Sequence, residues 1–394
     1  VFYPLLLAAI VFSADFEGGN VAQSKWLAPD HLEVQATGER DQDGRNQQPS
    51  WWYFRLDGVA GSNLTIDIGG LEGEYNYRKH DGSGLRNTLP AYSFDNETWQ
   101  TVSSTEWLTD PSRIRIRIEP GDHDQLWVAR QPPYANARLA KLLDDLDDRP
   151  WFHRETLTTT PKGRPLELVT VTDPKTPDDE KRTVWLMARQ HSWESGTSWA
   201  LEGALRFLAS DDPAAERIRS RTLYKILPLP DPDGVARGGV RFNHNGFDLN
   251  RNWDTATPEQ MPEIHAMRRA MRNWLDNGHS IDLFLTLHNT ESSSYISGAL
   301  ERTPDGEMAR YIHDQLSART HFHSPKGMRN SLATPPDKGR QTADQWIVLE
   351  REVPGYLIEL MVDRNEKIGR PPTVQDRLAF GRELAQILAE AVRK

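Results

Sequence analysis

The sequence predicts two domains of different fold class. The first is an antiparallel β-sandwich over residues 12–131. The second, over residues 132–394, is an α/β domain built on a mainly parallel mixed sheet with helices on both faces. Three observations predict this. Up to about Gln131, apolar and polar residues alternate with period two between frequent Gly, Asn and Pro breaks, as antiparallel strands joined by turns do. Pro132-Pro133 then punctuates the chain. Beyond it, continuous apolar runs alternate with amphipathic helical stretches, the pattern of strands covered on both faces.

Taken in order, Val1 to Val11 is an apolar run too short for a membrane-spanning helix of ~20 residues, so no stable membrane insertion is expected. It reads as the remnant of a signal segment, with an exported, periplasmic protein expected over a cytoplasmic one, or as the extension of an edge strand at Phe12 to Phe16. Trp51 to Phe54 predicts an aromatic strand that packs in a core rather than forming a sugar or peptide platform. Leu64 to Ile68 and Arg113 to Ile118 alternate strictly, so each is a strand with one buried and one wet face. Leu139 to Leu146 predicts a helix whose Asp144, Asp145, Asp147 and Asp148 lie on a solvated face. The runs Thr183–Met187, Leu223–Leu229, Ile281–Leu287 and Tyr356–Met361 predict the strands of the second sheet.

Composition narrows the chemistry. The 394 residues carry a formal charge of -10, which repels phosphate backbones, so nucleic acid is not an expected partner. There is no Cys, which excludes disulfides, thiolate metal sites and a cysteine nucleophile and leaves His, Asp and Glu as metal ligands. His191-Ser192-Trp193-Glu194 follows one predicted strand and precedes a helix from about Ser198; His288 and Glu359 each close another strand. In open α/β sheets, ligands bind beyond the carboxyl ends of the strands. Two imidazoles and a carboxylate, His191, Glu194 and His288, are a set that holds a catalytic zinc with a fourth position open. Glu359 is then the candidate general base and acid.

Between these points lie Asp231-Pro232-Asp233-Gly234 and the run Arg241-x4-Gly246-x-Asp248-Leu249-Asn250-Arg251. In that order the motifs resemble the zinc carboxypeptidases of the M14 family, and more narrowly the cytosolic-carboxypeptidase branch and its bacterial relatives. Asp15 to Asn20 and Trp52-Tyr53-Phe54-Arg55 resemble the β domain of that branch, so the likeness extends over nearly the whole chain. The resemblance implies one zinc per chain on His191, Glu194 and His288, with Glu359 as base. It also implies Arg241 polarising the scissile carbonyl, and Asn250 with Arg251 clamping the C-terminal carboxylate of a peptide or protein. A guanidinium suits that clamp because it binds a carboxylate through two parallel hydrogen bonds.

Two features lie outside the shared pattern. Ser331 to Pro354 contains no Tyr where digestive members carry a mobile one; Trp346 or Arg340 are the candidates to close over a substrate. The resemblance puts Arg340 at about the spacing of the residue at the base of the side-chain pocket, which implies a preference for acidic C-terminal residues; Lys338 and Arg340 otherwise read as solvated loop charges, and Asp344 nearby offers the opposite charge and would favour Lys or Arg. His321 and His323 read as solvated loop residues before a second metal site, and the role of His244 stays open. The rival functions are a zinc deacylase or amidase acting on N-acyl amino acids, and a non-catalytic relative that binds peptide or glycan.

Overall fold

The computed structural model describes residues 9–302, 304–332 and 336–393. The chain folds as two compact units: residues 1–40, 44–133 and 237–240 form one, and residues 41–43, 134–236 and 241–394 the other. The expectation for Val1 to Val11 falls mostly outside the described residues, although Val11 itself opens a strand.

The first unit holds two five-stranded sheets. One runs in the order β1 (Val11–Ser13), β4 (Tyr53–Asp57), β12 (Gln125–Ala129), β8 (Ala91–Ser93), β9 (Gln100–Thr101). The other runs β10 (Glu106–Leu108), β11 (Arg113–Ile118), β5 (Leu64–Gly69), β3 (His31–Gln35), β2 (Gln23–Ala28), with a separate hairpin of β6 (Gly73–Tyr75) and β7 (Arg78–His80). The expected edge strand is there as β1, but it ends at Ser13 rather than Phe16. Pairing is antiparallel except between β3 and β5, which lie parallel.

The alternation in β11 explains how this unit closes. Ile114, Ile116 and Ile118 are buried in a core shared with Leu32, Phe54, Ile66 and Val128 from both sheets. On the wet face Arg115 stands directly opposite Asp67 of β5 and donates to both its carboxylate oxygens, at 2.6 and 2.8 Å. Asp67 is 1% exposed and also meets His31 Nε2 at 3.0 Å. Trp51, Trp52, Tyr53 and Phe54 are all buried, as expected for core packing.

The second unit is built on one eight-stranded sheet in the order β13 (Phe152–Thr159), β14 (Pro165–Val171), β16 (Thr222–Leu227), β15 (Arg182–Ala188), β17 (Leu283–Thr290), β20 (Gly355–Met361), β18 (Tyr295–Gly298), β19 (Arg329–Asn330). Its centre, β16-β15-β17-β20, is parallel and the flanks include antiparallel pairs, so the sheet is mixed and mostly parallel. The helices are α1 (Asn136–Leu146), α2 (Ser195–Leu208), α3 (Pro213–Arg219), α4 (Pro232–Ala236), α5 (Pro262–Asp276), α6 (Asp305–Arg319), α7 (Ala343–Arg351) and α8 (Val374–Ala391). One core takes α1, α2, α6 and α8; the other takes α5 and α7. Both faces of the central strands are therefore covered, which is why they read as unbroken apolar runs. α2 and α8 touch at backbone distance: a Cβ on Gly381 would stand 1.6 Å from Ala200 O, and one on Gly203 would stand 2.0 Å from Leu378 O. Only glycine permits that approach, and it seats α8 directly on α2.

The Asp67 contacts yield a measurable consequence. Burial raises its carboxyl pKa, but Arg115 and His31 outweigh burial and hold it below the usual carboxylate value. The stability it contributes is thus fully present above the unfolded value near ~4 and lost as pH falls through the lower folded value. Asp67→Asn is expected to cost about 1.5–3 kcal/mol at neutral pH and to flatten the acid side of the stability profile, both read by urea denaturation. An unchanged midpoint at neutral pH removes Asp67 as a stabilising contact.

Candidate metal centre

The parallel strands β15, β17 and β20 are neighbours, and each delivers ionisable side chains to one region. β15 ends at Ala188 and α2 begins at Ser195, so His191 and Glu194 stand in the connecting turn. Arg189 shapes that turn from inside. Its backbone adopts a left-handed φ of 61°, and its buried guanidinium folds back onto Ser192 O (Nε at 2.8 Å, Nη2 at 2.5 Å) and Ser198 Oγ (Nη1 at 3.1 Å). A non-glycine residue holds such a φ only where its surroundings over-determine it.

His288 and Glu359 share a register position on β17 and β20 and so project to the same face. The sequence places both at strand ends. The ladder instead continues to Thr290 and Met361, because β17–β20 pairing persists for two residues beyond them. His288 is buried, at 1% exposure, and Glu359 is partly buried.

The hydrogen bonds assign the imidazole tautomers. His191 Nε2 lies 2.9 Å from the Asp248 carboxylate, which only accepts, so Nε2 carries a proton and Nδ1 is the nitrogen on the side of Glu194. His288 Nε2 lies 3.0 Å from Gln190 Oε1, while Gln190 Nε2 donates to Leu249 O at 2.5 Å. The Gln190 oxygen also accepts from Thr286 Oγ1 at 2.9 Å, so His288 too holds its proton on Nε2. Both Nδ1 atoms then face Glu194: His191 Nδ1 at 2.7 Å from Oε1 and His288 Nδ1 at 3.0 Å from Oε2.

One ligand atom each from His191, Glu194 and His288 lies within 4.8 Å of the other two. Glu194 Oε2 is buried and makes no hydrogen bond despite its closeness to His288. Three ligand atoms that converge on one point, with each imidazole fixed from behind by a partner, form the donor set of a zinc ion held by two imidazoles and a carboxylate. Burial raises the Glu194 pKa, but the two imidazoles outweigh it and hold the group ionised. Burial and Arg241 press His191 down; Glu194 and Asp248 reverse that and raise it.

Asp248 ties the remaining residues together. One oxygen accepts from His191 and from the Asn250 backbone N–H (2.8 Å), and the other from Arg241 Nε (2.8 Å). Burial opposes its ionisation, but Arg241, His191 and Arg251 keep its pKa well below the usual carboxylate range. Asn250 is buried and accepts at Oδ1 from Ala343 N (3.1 Å), which leaves its Nδ2 as the donor end. Arg251 Nη1 reaches Asn250 O at 2.7 Å. Glu359 is partly buried; its Oε2 is out of contact with solvent and has no hydrogen-bond partner, and desolvation with Glu194 and Glu291 nearby raises its pKa well above the usual value.

Arg340 lies apart from this cluster, on a partly exposed loop seated along the Asn250–Asp254 segment through Gly339 N to Asp254 Oδ2 (2.8 Å) and Trp253 N to Gln341 O (3.1 Å). Trp346 is 1% exposed and packs on Trp253 with ring centroids 5.4 Å apart, so it is a core residue and not one that closes over a substrate. Its helical spacing on α7 faces it inward, which the loop-like sequence before it conceals. His323 pairs with Glu366 at 3.1 Å, while burial lowers the His321 pKa to about 3. His244 is exposed. Sequence reasoning finds neither Gln190 nor a role for Asp248. The signal for Asp248 was an acid between Phe247 and Leu249 in a segment otherwise destined for burial.

Residues 139–367 match the family described as zinc carboxypeptidase, and residues 12–130 match the cytosolic carboxypeptidase N-terminal domain. The chain is 26% identical over 311 residues to cytosolic carboxypeptidase 6 of Caenorhabditis elegans, covering 73% of this chain and 64% of that protein. It is 32% identical over 161 residues to cytosolic carboxypeptidase 6 of Mus musculus, covering 40% of this chain and 30% of that protein. The chain thus spans less than two thirds of the length of these two relatives. Among solved structures, a metallo-carboxypeptidase from Burkholderia cenocepacia superposes with a TM-score of 0.83 at 24% identity, over 98% of this chain and 99% of that one. A metallo-carboxypeptidase from Pseudomonas aeruginosa, in complex with (2-guanidinoethylmercapto)succinic acid, gives 0.81 at 22% identity, over 97% and 99%. These two likenesses are of fold.

Proposed function

This chain belongs to the zinc carboxypeptidase family, and on that premise we propose that it hydrolyses the C-terminal peptide bond of peptides or proteins. The observation that carries the reading is the buried His191–Glu194–His288 cluster with Glu359 at the register position opposite His288. His191 and His288 through Nδ1, and Glu194 through its carboxylate, would hold the zinc. When bound, the metal supplies a Lewis acid and a water acidified toward neutral pH.

The chain's own residues do the rest. Glu359 takes the proton of the attacking water and returns it to the leaving amine, a role suited to a carboxyl whose buried surroundings raise its proton affinity. Arg241, held by Asp248, stabilises charge that develops on the scissile carbonyl oxygen. Arg251 and the Nδ2 end of Asn250 bind the free C-terminal carboxylate, so the enzyme acts at chain ends. Asp248 is the positioning residue for both, and for His191.

Arg340 gives the specificity reading: a guanidinium beside the Asn250–Asp254 segment favours an acidic C-terminal side chain. A second reading is carried by Asp344, which is 1% exposed, accepts from Thr342 Oγ1 at 2.6 Å through Oδ1, and has no hydrogen-bond partner at Oδ2. A carboxylate there favours Lys or Arg.

The deciding experiment is mass spectrometry of a peptide library varied in its last residue, with and without a zinc chelator. Loss of single C-terminal residues that stops on chelation is expected; cleavage of acetyl-amino acids but not of peptides replaces the reading with that of an amidase. Purified protein is expected to hold one zinc per chain, and His191→Ala, Glu194→Ala or His288→Ala to lose it, while Asp248→Asn weakens zinc retention about 10–100-fold in chelator competition. Full zinc content in His288→Ala removes His288 from the site. Glu359→Gln is expected to keep zinc and lower kcat at least ~10²-fold. Amidating the C-terminus is expected to abolish cleavage. Arg340→Glu is expected to lower kcat/KM for Glu-ended peptides by about one to two decades and spare Leu-ended ones. Faster release of Lys or Arg by the wild type transfers the specificity role to Asp344.

A further inference from the structure

The turn that joins Arg241 to Asp248 is organised by one buried carboxamide. Phe242 pairs with Asp248 in an antiparallel bridge, and Asn243 N donates to Phe247 O at 2.8 Å, so residues 243–247 close a tight loop between the two arms. Asn243 is 2% exposed. Its Oδ1 accepts from the backbone N–H groups of Asn245 and Phe247, each at 3.0 Å. Two acceptors at the start of α5 take its Nδ2: Glu263 Oε2 at 3.0 Å and Gln260 O at 3.2 Å. The carboxamide therefore points one way only, because the reverse sets its own N–H groups against those of the turn.

Glu263 is the unusual partner. It lies in the first turn of α5 and is 0% exposed. Its Oε1 has no hydrogen-bond partner among the described residues. Burial and the nearby Asp231 raise its pKa to about 7, against the lowering effect of the Asn243 amide. An acid in the first turn also suits the positive end of a helix dipole, so charge alone is a rival reason for Glu263. That rival needs a negative charge near the helix start and no particular reach. The bond to Asn243 needs an acceptor at the length of a Glu side chain and no charge, so the two roles are separable.

We propose, resting on the carboxypeptidase reading of the site, that Glu263 is a positioning residue for the Arg241–Asp248 pair and acts through Asn243. Glu263 fixes the carboxamide, the carboxamide fixes the turn, and the turn sets Arg241 Nε 2.8 Å from Asp248 Oδ2. Asp248 also meets His191 Nε2, so the same chain of contacts reaches a candidate zinc ligand. α5 is a firm anchor for it, since Ile264, Met267 and Met271 share a core with Trp185 and Phe284 of the central sheet.

The test compares Glu263→Gln, which keeps the acceptor and removes the charge, with Glu263→Asp, which keeps the charge and falls one carbon short of Asn243. Each is assayed on a peptide at saturating zinc, and zinc retention is measured separately by chelator competition. Glu263→Gln is expected to keep kcat, KM and zinc retention within about two-fold of wild type. In Glu263→Asp, kcat is expected to fall at least about 10-fold while KM changes less than about three-fold, because Arg241 acts on charge that develops in the transition state. Zinc retention in that variant is expected to weaken at least about three-fold, through Asp248 and His191. If Glu263→Asp does not fold, Glu263→Met, which keeps the length and cannot accept, replaces it with the same expected result. Added to Asn243→Ala, the Glu263 change is expected to cost nothing further, as for two residues in one chain of contacts. The reverse order, with Asp like wild type and Gln impaired, assigns Glu263 to helix charge and overturns the proposal; so do Asp and Gln variants that match each other, or losses that add in the double variant. A wild type that holds zinc and cleaves no peptide defeats the carboxypeptidase reading alone, and the order of zinc retention then decides the role of Glu263.

Discussion

The partly buried carboxylate of Asp248 is the interaction on which the rest of the site depends. It accepts from His191, from Arg241 and from the backbone of Asn250, so one side chain sets a candidate metal ligand, a candidate oxyanion stabiliser and the start of the candidate carboxylate clamp. This largely desolvated anion stays ionised because donors meet both its oxygens and cations flank it. Because the three partners share one acceptor, a shift in any of them is felt by the other two.

The second constraint comes from the sheet. In a parallel ladder, His288 and Glu359 are fixed side by side to within the tolerance of backbone hydrogen bonds, and the β15-to-α2 turn brings Glu194 onto the imidazoles. Loops alone do not hold acceptors that close together; rigid elements do. The glycine contacts between α2 and α8, and the Arg189 guanidinium inside the turn, show where that rigidity originates. The candidate site gathers toward the carboxyl ends of the parallel strands, where several strands present side chains to one point.

Buried charge recurs through the molecule with different solutions. Asp67 is matched by Arg115 at ideal geometry, and Glu194 by two imidazoles. Glu359 is not matched in this way: its Oε2 has no hydrogen-bond partner. Structural charges are satisfied from within the fold, whereas Glu359 is left without a donor beside the candidate metal ligands.

Much of this was legible in the sequence because it depends on period and order. Alternation in Arg113–Ile118 dictates a half-wet strand, apolar runs dictate strands covered on both faces, and the motif order from His191 to Glu359 identifies the family, since residue types at fixed spacing survive without coordinates. Tertiary structure alone decided the parallel β3–β5 pair, the burial of Trp346, the continuation of strands past His288 and Glu359, and the roles of Gln190 and Asp248. Each rests on a contact between residues distant in sequence. A one-dimensional pattern tells which face a residue occupies, but not which side chain from another element will stand against it.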